Sequence, residues 1–334
     1  MSSAETYINE TVFKFSGQTN VETWSLKNDL AVSAVARYSR WLINDFPLSM
    51  QRIRDLADSF PFWQHRKRTG RPPVQERDLL IGFLLRQFFD ITFRQTQGLM
   101  ECFNDYFEFQ KIPSHTLLSK KNQSKRWHHL WKRFHRFIVD GLSSRKAIIS
   151  TDASGFSGRR RTWKETPHAI RAVEDWVKVH AAIETDDFFV LNYELTKSNI
   201  HDSQMFNEVW NDVPDNIIPI RSLADAAYHG ENCLQVALKH GATPIHGIKK
   251  NAVYRRHPET AYQRMVSFFT HWPNRYKTLY GKRNHAETAF GMMKSRFGYR
   301  IRCRSKIGRK NEVHSKINAH NIRMLAQLDF QLSD

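Results

Sequence analysis

Two aspartates in this 334-residue chain stand where their chemistry would be shared. Asp152 and Asp225 each close an apolar run and open onto small residues, in "IISTDASG" and "SLADAAYHG". In α/β sheets, functional groups collect at the carboxyl ends of strands. Two carboxylates delivered to one edge by different strands repel each other unless a cation sits between them. Oxygen-only ligands favour a hard divalent cation, Mg²⁺ in the first instance. Taken singly, a strand-end aspartate is a turn or cap residue, and Asp202, Asp212 and Asp215 keep that reading.

Glu287 is the third carboxylate, in "YGKRNHAETAFGMMKSR". From Arg275 to Lys316, thirteen basic residues stand against two acidic ones, Glu287 and Glu312, so a carboxylate there asks for a reason. On an ideal helix at about 100° per residue, measured from Arg283, Tyr280 falls near ~60°, Glu287 near ~40° and Lys294 near ~20°. The four share one stripe, with Phe290 also on it. Pairing of Arg283 with Glu287 on an exposed helix accounts for those two, at a few tenths of a kcal/mol. It leaves the aligned tyrosine and lysine unexplained.

The elements that must position these residues change character along the chain. Residues 1–145 read as mostly helical: "ERDLLIGFLLRQFF" follows Pro72 and Pro73, "FRQTQGLMECF" follows a break at "DIT", and Ser114 caps another short helix. "SKRWHHLWKRFHRFIVDGL" then puts Trp127, Leu130, Trp131, Phe134, Phe137 and Ile138 on one face and Lys125, Arg126, Lys132, Arg133 and Arg136 on the rest. Two short helices followed by a basic amphipathic helix fit either a helix-turn-helix DNA reader or a bundle with a solvated basic face.

From residue 146 onward strands appear, in "KAIISTDASGF", "WVKVHAAIET", "FFVLNYEL", "IIPIRSLADAAY" and "ATPIHGIKK". Helices follow the third and fourth, and the Tyr280 segment reads as one long helix. The pattern predicts an α/β fold with a mixed five-stranded sheet, in residues 146–334, behind a helical domain of residues 1–145. Arg159, Arg160 and Arg161 are expected in a loop after the first strand, on a DNA path or at a solvated hairpin tip.

Composition narrows the partners. A formal charge of +18 predicts attraction to polyanions, nucleic acid first. Aromatics at 13% leave ample material for a core. The longest strongly apolar run, "LLIGFLL", is far short of the ~20 residues of a membrane span. "MSSAETYINETVFKFSGQ" shows no signal peptide, so a cytoplasmic protein is expected, with no membrane partner. Cys102, Cys233 and Cys303 lie far apart without C-x-x-C spacing, which argues against a zinc module or a disulfide scaffold.

At the level of motifs the chain resembles a known family. Tyr280, Arg283, Glu287 and Lys294 match in full the Y-(2)-R-(3)-E-(6)-K signature of insertion-sequence transposases of the IS4/IS5 type. "TDASG" around Asp152 and "ADAAY", with Asp225 and Tyr228, look like the first two motifs of that DDE superfamily. The resemblance covers roughly residues 70–330. It implies an RNase H-like catalytic core, with Asp152, Asp225 and Glu287 as catalytic residues and as ligands of two Mg²⁺ ions, for which Mn²⁺ substitutes. It implies DNA phosphate contacts for Arg283 and Lys294, Tyr280 beside them, and a supporting role for Tyr228. The implied reaction is hydrolysis at element ends followed by attack of the freed 3′-OH on target DNA. The partners are terminal inverted repeats and target DNA, engaged by a homodimer in a synaptic complex, on nucleoid DNA of a prokaryotic host. Glu287 follows Asp225 by 62 positions, which leaves little room for the β-rich insertion some relatives carry there. Two other classes stay open: a transposase-derived DNA-binding protein without catalysis, and a nuclease of the same fold that cuts but does not join.

Overall fold

The computed structural model describes residues 21–63, 73–166 and 169–333, with side chains described for residues 36–63, 73–158 and 176–332. Helices come first: α1 (Val21–Ser59), α2 (Glu76–Phe88), α3 (Phe93–Cys102), α4 (Asn104–Phe107), α5 (His115–Asn122) and α6 (Lys125–Asp140). Their starts are written locally. Thr92 and Gln95 exchange the two hydrogen bonds of a capping box at α3, and Ser114 accepts the Leu117 N–H at α5. Leu80, Phe83 and Leu84 of α2 pack with Trp127, Trp131 and Phe134 of α6 in one buried cluster.

The sheet follows, from β1 (Arg145–Thr166), β2 (Ala169–Glu184), β3 (Val190–Lys197), β4 (Ile217–Ala224), β5 (Thr243–His246) and β6 (Arg300–Ile301). Its order is β3-β2-β1-β4-β5, with β6 paired to the outer part of β1. β1 is antiparallel to β2 and parallel to β4, which is parallel to β5, so the sheet is mixed. Between the strands lie α7 (Phe206–Asn211) and α8 (Glu231–Lys239). They cover one face, where Phe206, Trp210 and Tyr228 pack with Ile149 and Ala182. After β5 come α9 (Ala261–His271), α10 (Pro273–Tyr280), α11 (Asn284–Phe297) and α12 (Lys306–Ser333). Phe290 and Met293 of α11 and Val313 and Ile317 of α12 cover the other face, on Phe156, Val179 and Ile183. Residues 247–286 hold no further strand, so nothing β-rich is inserted there.

The five expected strands are present, and β6 is additional; two residues are too few to show alternation. Three other expectations need correction. The Tyr280 segment is not one helix: α10 ends at Tyr280 and a 3₁₀ turn, Gly281–Arg283, leads into α11. Glycine weakens a helix at that point, and the turn is tethered where Ser150 Oγ donates to the Arg283 carbonyl. Arg159, Arg160 and Arg161 belong to β1 and not to a loop; their side chains lie outside the described residues.

The basic side of α6 is the third. Lys132 Nζ meets Glu194 at 2.7 Å and the Tyr193 carbonyl, Arg133 donates to the Pro61 carbonyl, and Arg136 bonds Asp140 and the Asp212 carbonyl. These three charges are tied into the fold, while Lys125 and Arg126 face solvent. Among the described residues no helix is long and apolar enough to cross a membrane. The three cysteines are free.

Candidate active site

β1 and β4 run side by side with Thr151 opposite Ala224, which makes Asp152 and Asp225 the next positions on adjacent parallel strands. Neighbouring strands lie ~4.8 Å apart, so the two carboxylates share one edge. Asp225 caps the 3₁₀ turn Ala226–Tyr228 by accepting the Ala227 N–H at 2.8 Å, and Asp152 accepts the Ala153 N–H at 2.8 Å. Burial pushes the Asp152 carboxyl up to about 6, and the charges of Asp225 and Glu287 act in the same direction. Gly247 lets the backbone after β5 close on this edge, since a Cβ there would fall 2.5 Å from the Ala226 nitrogen.

α11 docks over the same edge from the Asp152 side. Side chains alternate along a strand, so Ser150, Asp152 and Ser154 share a face. Ser150 holds the Arg283 carbonyl at 3.0 Å, and Ser154 Oγ accepts from Lys294 Nζ at 2.7 Å. Burial lowers the Lys294 ammonium, against the pull of Asp152. Arg283 Nη2 meets Glu287 Oε1 at 2.6 Å, and its guanidinium lies 5.9 Å from the centre of the Tyr280 ring. Tyr280 stacks on Tyr276, whose hydroxyl donates to the His246 carbonyl, fixing α10 to the end of β5. Tyr280 is raised by burial, with Asp225, Glu287 and Asp152 adding to that effect. The 3₁₀ turn brings Tyr280 and Arg283 closer into line than an unbroken α-helix would, because three residues then make a full turn.

The structure therefore brings Asp152, Asp225, Tyr280, Arg283, Glu287 and Lys294 to one place. Tyr228 lies behind it, buried, with its hydroxyl lacking a partner among the described residues. Burial raises that phenol, and Asp202, Asp152 and Asp225 raise it further. Asp202 itself pairs with Lys178 at 2.5 Å. Ser150, Ser154 and Gly247 were not anticipated. The serines were findable, because they sit two residues either side of Asp152 on a strand; Gly247 carried no local signal.

The three carboxylates test unevenly as a cation site. Asp152 and Asp225 each spend one oxygen on a backbone N–H, and their mutual repulsion is what a hard cation relieves. Glu287 is held by Arg283, and its side chain is 56% exposed against 20% for the arginine. Among the described residues no three His, Cys, Asp or Glu side chains gather closely enough to hold a metal ion. The donor chemistry fits a divalent cation at the two aspartates, with Glu287 joining only after it leaves Arg283.

Residues 143–322 match the family model described as "Transposase DDE domain", a span that contains all three carboxylates and Lys294. No solved structure matches the chain.

Proposed function

Since the chain belongs to the transposase DDE domain family, we propose that it is an insertion-sequence transposase of the IS4/IS5 type, cutting DNA at element ends and joining the freed 3′-OH to target DNA. The observation that carries this reading is the placement of Asp152, within β1, beside Asp225 at the end of the adjacent parallel strand β4, close to the Arg283–Glu287 pair. In the proposed division, residues 146–334 do the chemistry and residues 1–145 help bind the ends and pair two copies in a synaptic complex, on nucleoid DNA in a prokaryotic cytoplasm.

Divalent cations, Mg²⁺ with Mn²⁺ as substitute, would be held by Asp152, Asp225 and Glu287 and supply Lewis-acid activation of water and stabilisation of the leaving oxygen when bound. The chain's own residues place the phosphodiester. A phosphate takes Arg283 in bidentate fashion, which frees Glu287 to turn toward Asp152. Lys294, anchored on Ser154 and kept close by burial, adds a point charge along the same strand. Tyr280 packs beside Arg283 and keeps it aimed. Tyr228 supports the Asp225 turn from behind.

The test uses duplex DNA carrying the element ends, with Mg²⁺. Glu287→Gln is expected to lower strand cleavage by at least about 10³-fold, the scale of several kcal/mol of lost transition-state stabilisation, while DNA binding persists. Unimpaired cleavage by that variant defeats the assignment. Cleavage without strand-transfer products would identify a nuclease, and salt-sensitive binding by the parent protein with no cleavage a DNA-binding derivative.

A further inference from the structure

Lys132, Arg133 and Arg136 of α6 are paired within the fold, and a further concentration of solvent-facing positive charge lies elsewhere. It lines a cleft between the helical layer and the segment after β6. One part, of about 780 Å³, lies between the starts of α3 and α5; it continues through Phe93 and Ser119 into a second part of about 380 Å³ bounded by residues 302–305. Arg94 and Lys120 on one wall and Arg304 on the other are exposed. None of the three forms an ion pair among the described residues. No acidic residue lines either part. Its floor is Arg86, 4% exposed, with an Nε–H that finds no acceptor among the described residues.

The wall that carries Arg304 is held rigidly. Ile301 is buried, Arg300 and Arg304 are exposed, and Arg302 is locked to Asp90 at 2.8 and 3.1 Å. The Glu312 carboxylate accepts the N–H groups of Arg302 and Cys303, both at 2.9 Å. Ser157 pairs with Arg300, five residues along β1 from Asp152. At ~3.3 Å per residue Arg300, two residues before Arg302 on the cleft wall, lies ~17 Å along β1 from the catalytic edge. That distance is about five base pairs of duplex at ~3.4 Å each.

We propose that this cleft grips the sugar–phosphate backbone of duplex DNA about five or more base pairs from the scissile phosphate. Cations on two separated walls suit a continuous polyanion better than a small anion. Single-strand sites rely on exposed aromatic platforms; here no Tyr or Trp lines the cleft among the described residues, and its Phe93 already has the Arg86 guanidinium 4.5 Å from its ring centre. The distance from the cut rests on the transposase reading; the binding does not.

The experiment measures binding of a fluorescein-labelled duplex oligonucleotide by anisotropy across a salt series, without metal. The triple variant Arg94→Ala, Lys120→Ala, Arg304→Ala is expected to bind at least about tenfold more weakly near ~0.1 M salt. Its slope of log K against log salt should shrink by about 2 to 3, at ~0.9 per lost phosphate contact. Its melting temperature should be unchanged, since these side chains are exposed. A control lacking Lys146, Lys197 and Lys239, exposed elsewhere on the chain, should keep the parental slope. An unchanged slope, an equal loss in the control, or tighter binding of the single strand than of the duplex overturns the proposal. A parent protein that binds as expected but never cuts would defeat the transposase reading and leave this site standing.

Discussion

Two carboxylates in this chain, one buried and one half-buried, live under opposite conditions. Glu312, in the interior beneath residues 302–305, is 1% exposed and accepts two backbone N–H groups while Arg86 stands 3.5 Å away. Burial alone would raise it, yet Arg86 and these hydrogen bonds hold it below the usual carboxylate range. Asp152 has one backbone N–H and looks at Asp225 and Glu287, and it is pushed up to about 6. Withdrawal from water pushes both carboxyls up, so it does not by itself send them in opposite directions. What separates a carboxylate that holds a fold together from one available for chemistry is whether the protein itself answers its charge.

The comparison can be broken at three strengths. The largest effect on stability is expected at Glu312, because Glu312→Gln leaves Arg86 buried without a counter-charge. Stability in urea unfolding should fall by about 3 kcal/mol. A loss below ~1 kcal/mol would show that Arg86 is satisfied without it, and the contrast would collapse.

Asp152 should behave in the opposite sense. In the folded chain its carboxyl keeps a proton up to about pH 6, whereas unfolded it releases it near 3.8. Between those values the folded state binds more protons, so stability falls as pH rises, by an amount on the order of 2 kcal/mol. Asp152→Asn should remove that fall, leaving a chain more stable than the parent at pH 7. Mg²⁺ should raise the melting temperature of the parent at pH 7 and leave the variant unmoved. A variant with the parental pH slope sinks the argument. For Glu312, held low, the sign reverses: its contribution is present at neutral pH and fades in acid.

Ser154→Ala is the mildest. It takes away the acceptor that aims Lys294, so strand cleavage should drop about fivefold, the equivalent of ~1 kcal/mol, with little change in melting temperature. A loss as large as that of Glu287→Gln would mean that Ser154 does more than orient the lysine.

Much of this was legible in the chain because it is local. Asp152 and Asp225 end apolar runs, the Tyr280–Lys294 spacing falls within fifteen residues, and short apolar runs, alternating in "WVKVHAAIET", mark five strands. The break at Gly281 was hidden, because it depends on Ser150 reaching across from β1. The role of α6 was hidden for the same reason: its basic residues find partners at Glu194, Pro61 and Asp212. α12 is the extreme case. "KNEVHSKINAHN" reads as a solvated surface, yet Asn311, His314, Lys316, Asn318 and Asn321 are buried. Asn311 donates to the Asn122 carbonyl, His314 meets both His128 and the Tyr193 hydroxyl, and Asn321 bonds Val190. Polar residues whose partners lie more than a hundred positions away leave no local trace of burial.

α12 has a consequence for how the chain assembles. Its Ala319 and Ile322 complete the cluster built by α2 and α6, while Val313 and Ile317 complete the sheet face. Arg323 grips Asp45 at 2.9 Å across 278 positions, and Asp329 accepts from Arg52 across 277. Closing loops of that size costs entropy before any contact rewards it, and folding slows as contacts become less local. The helices at the front start from short-range signals, but the cluster that holds Leu80 and Phe134 is complete only with Ala319 and Ile322 of α12. The region that looks most self-contained in sequence is thus finished by hydrogen bonds that reach across nearly the whole described chain.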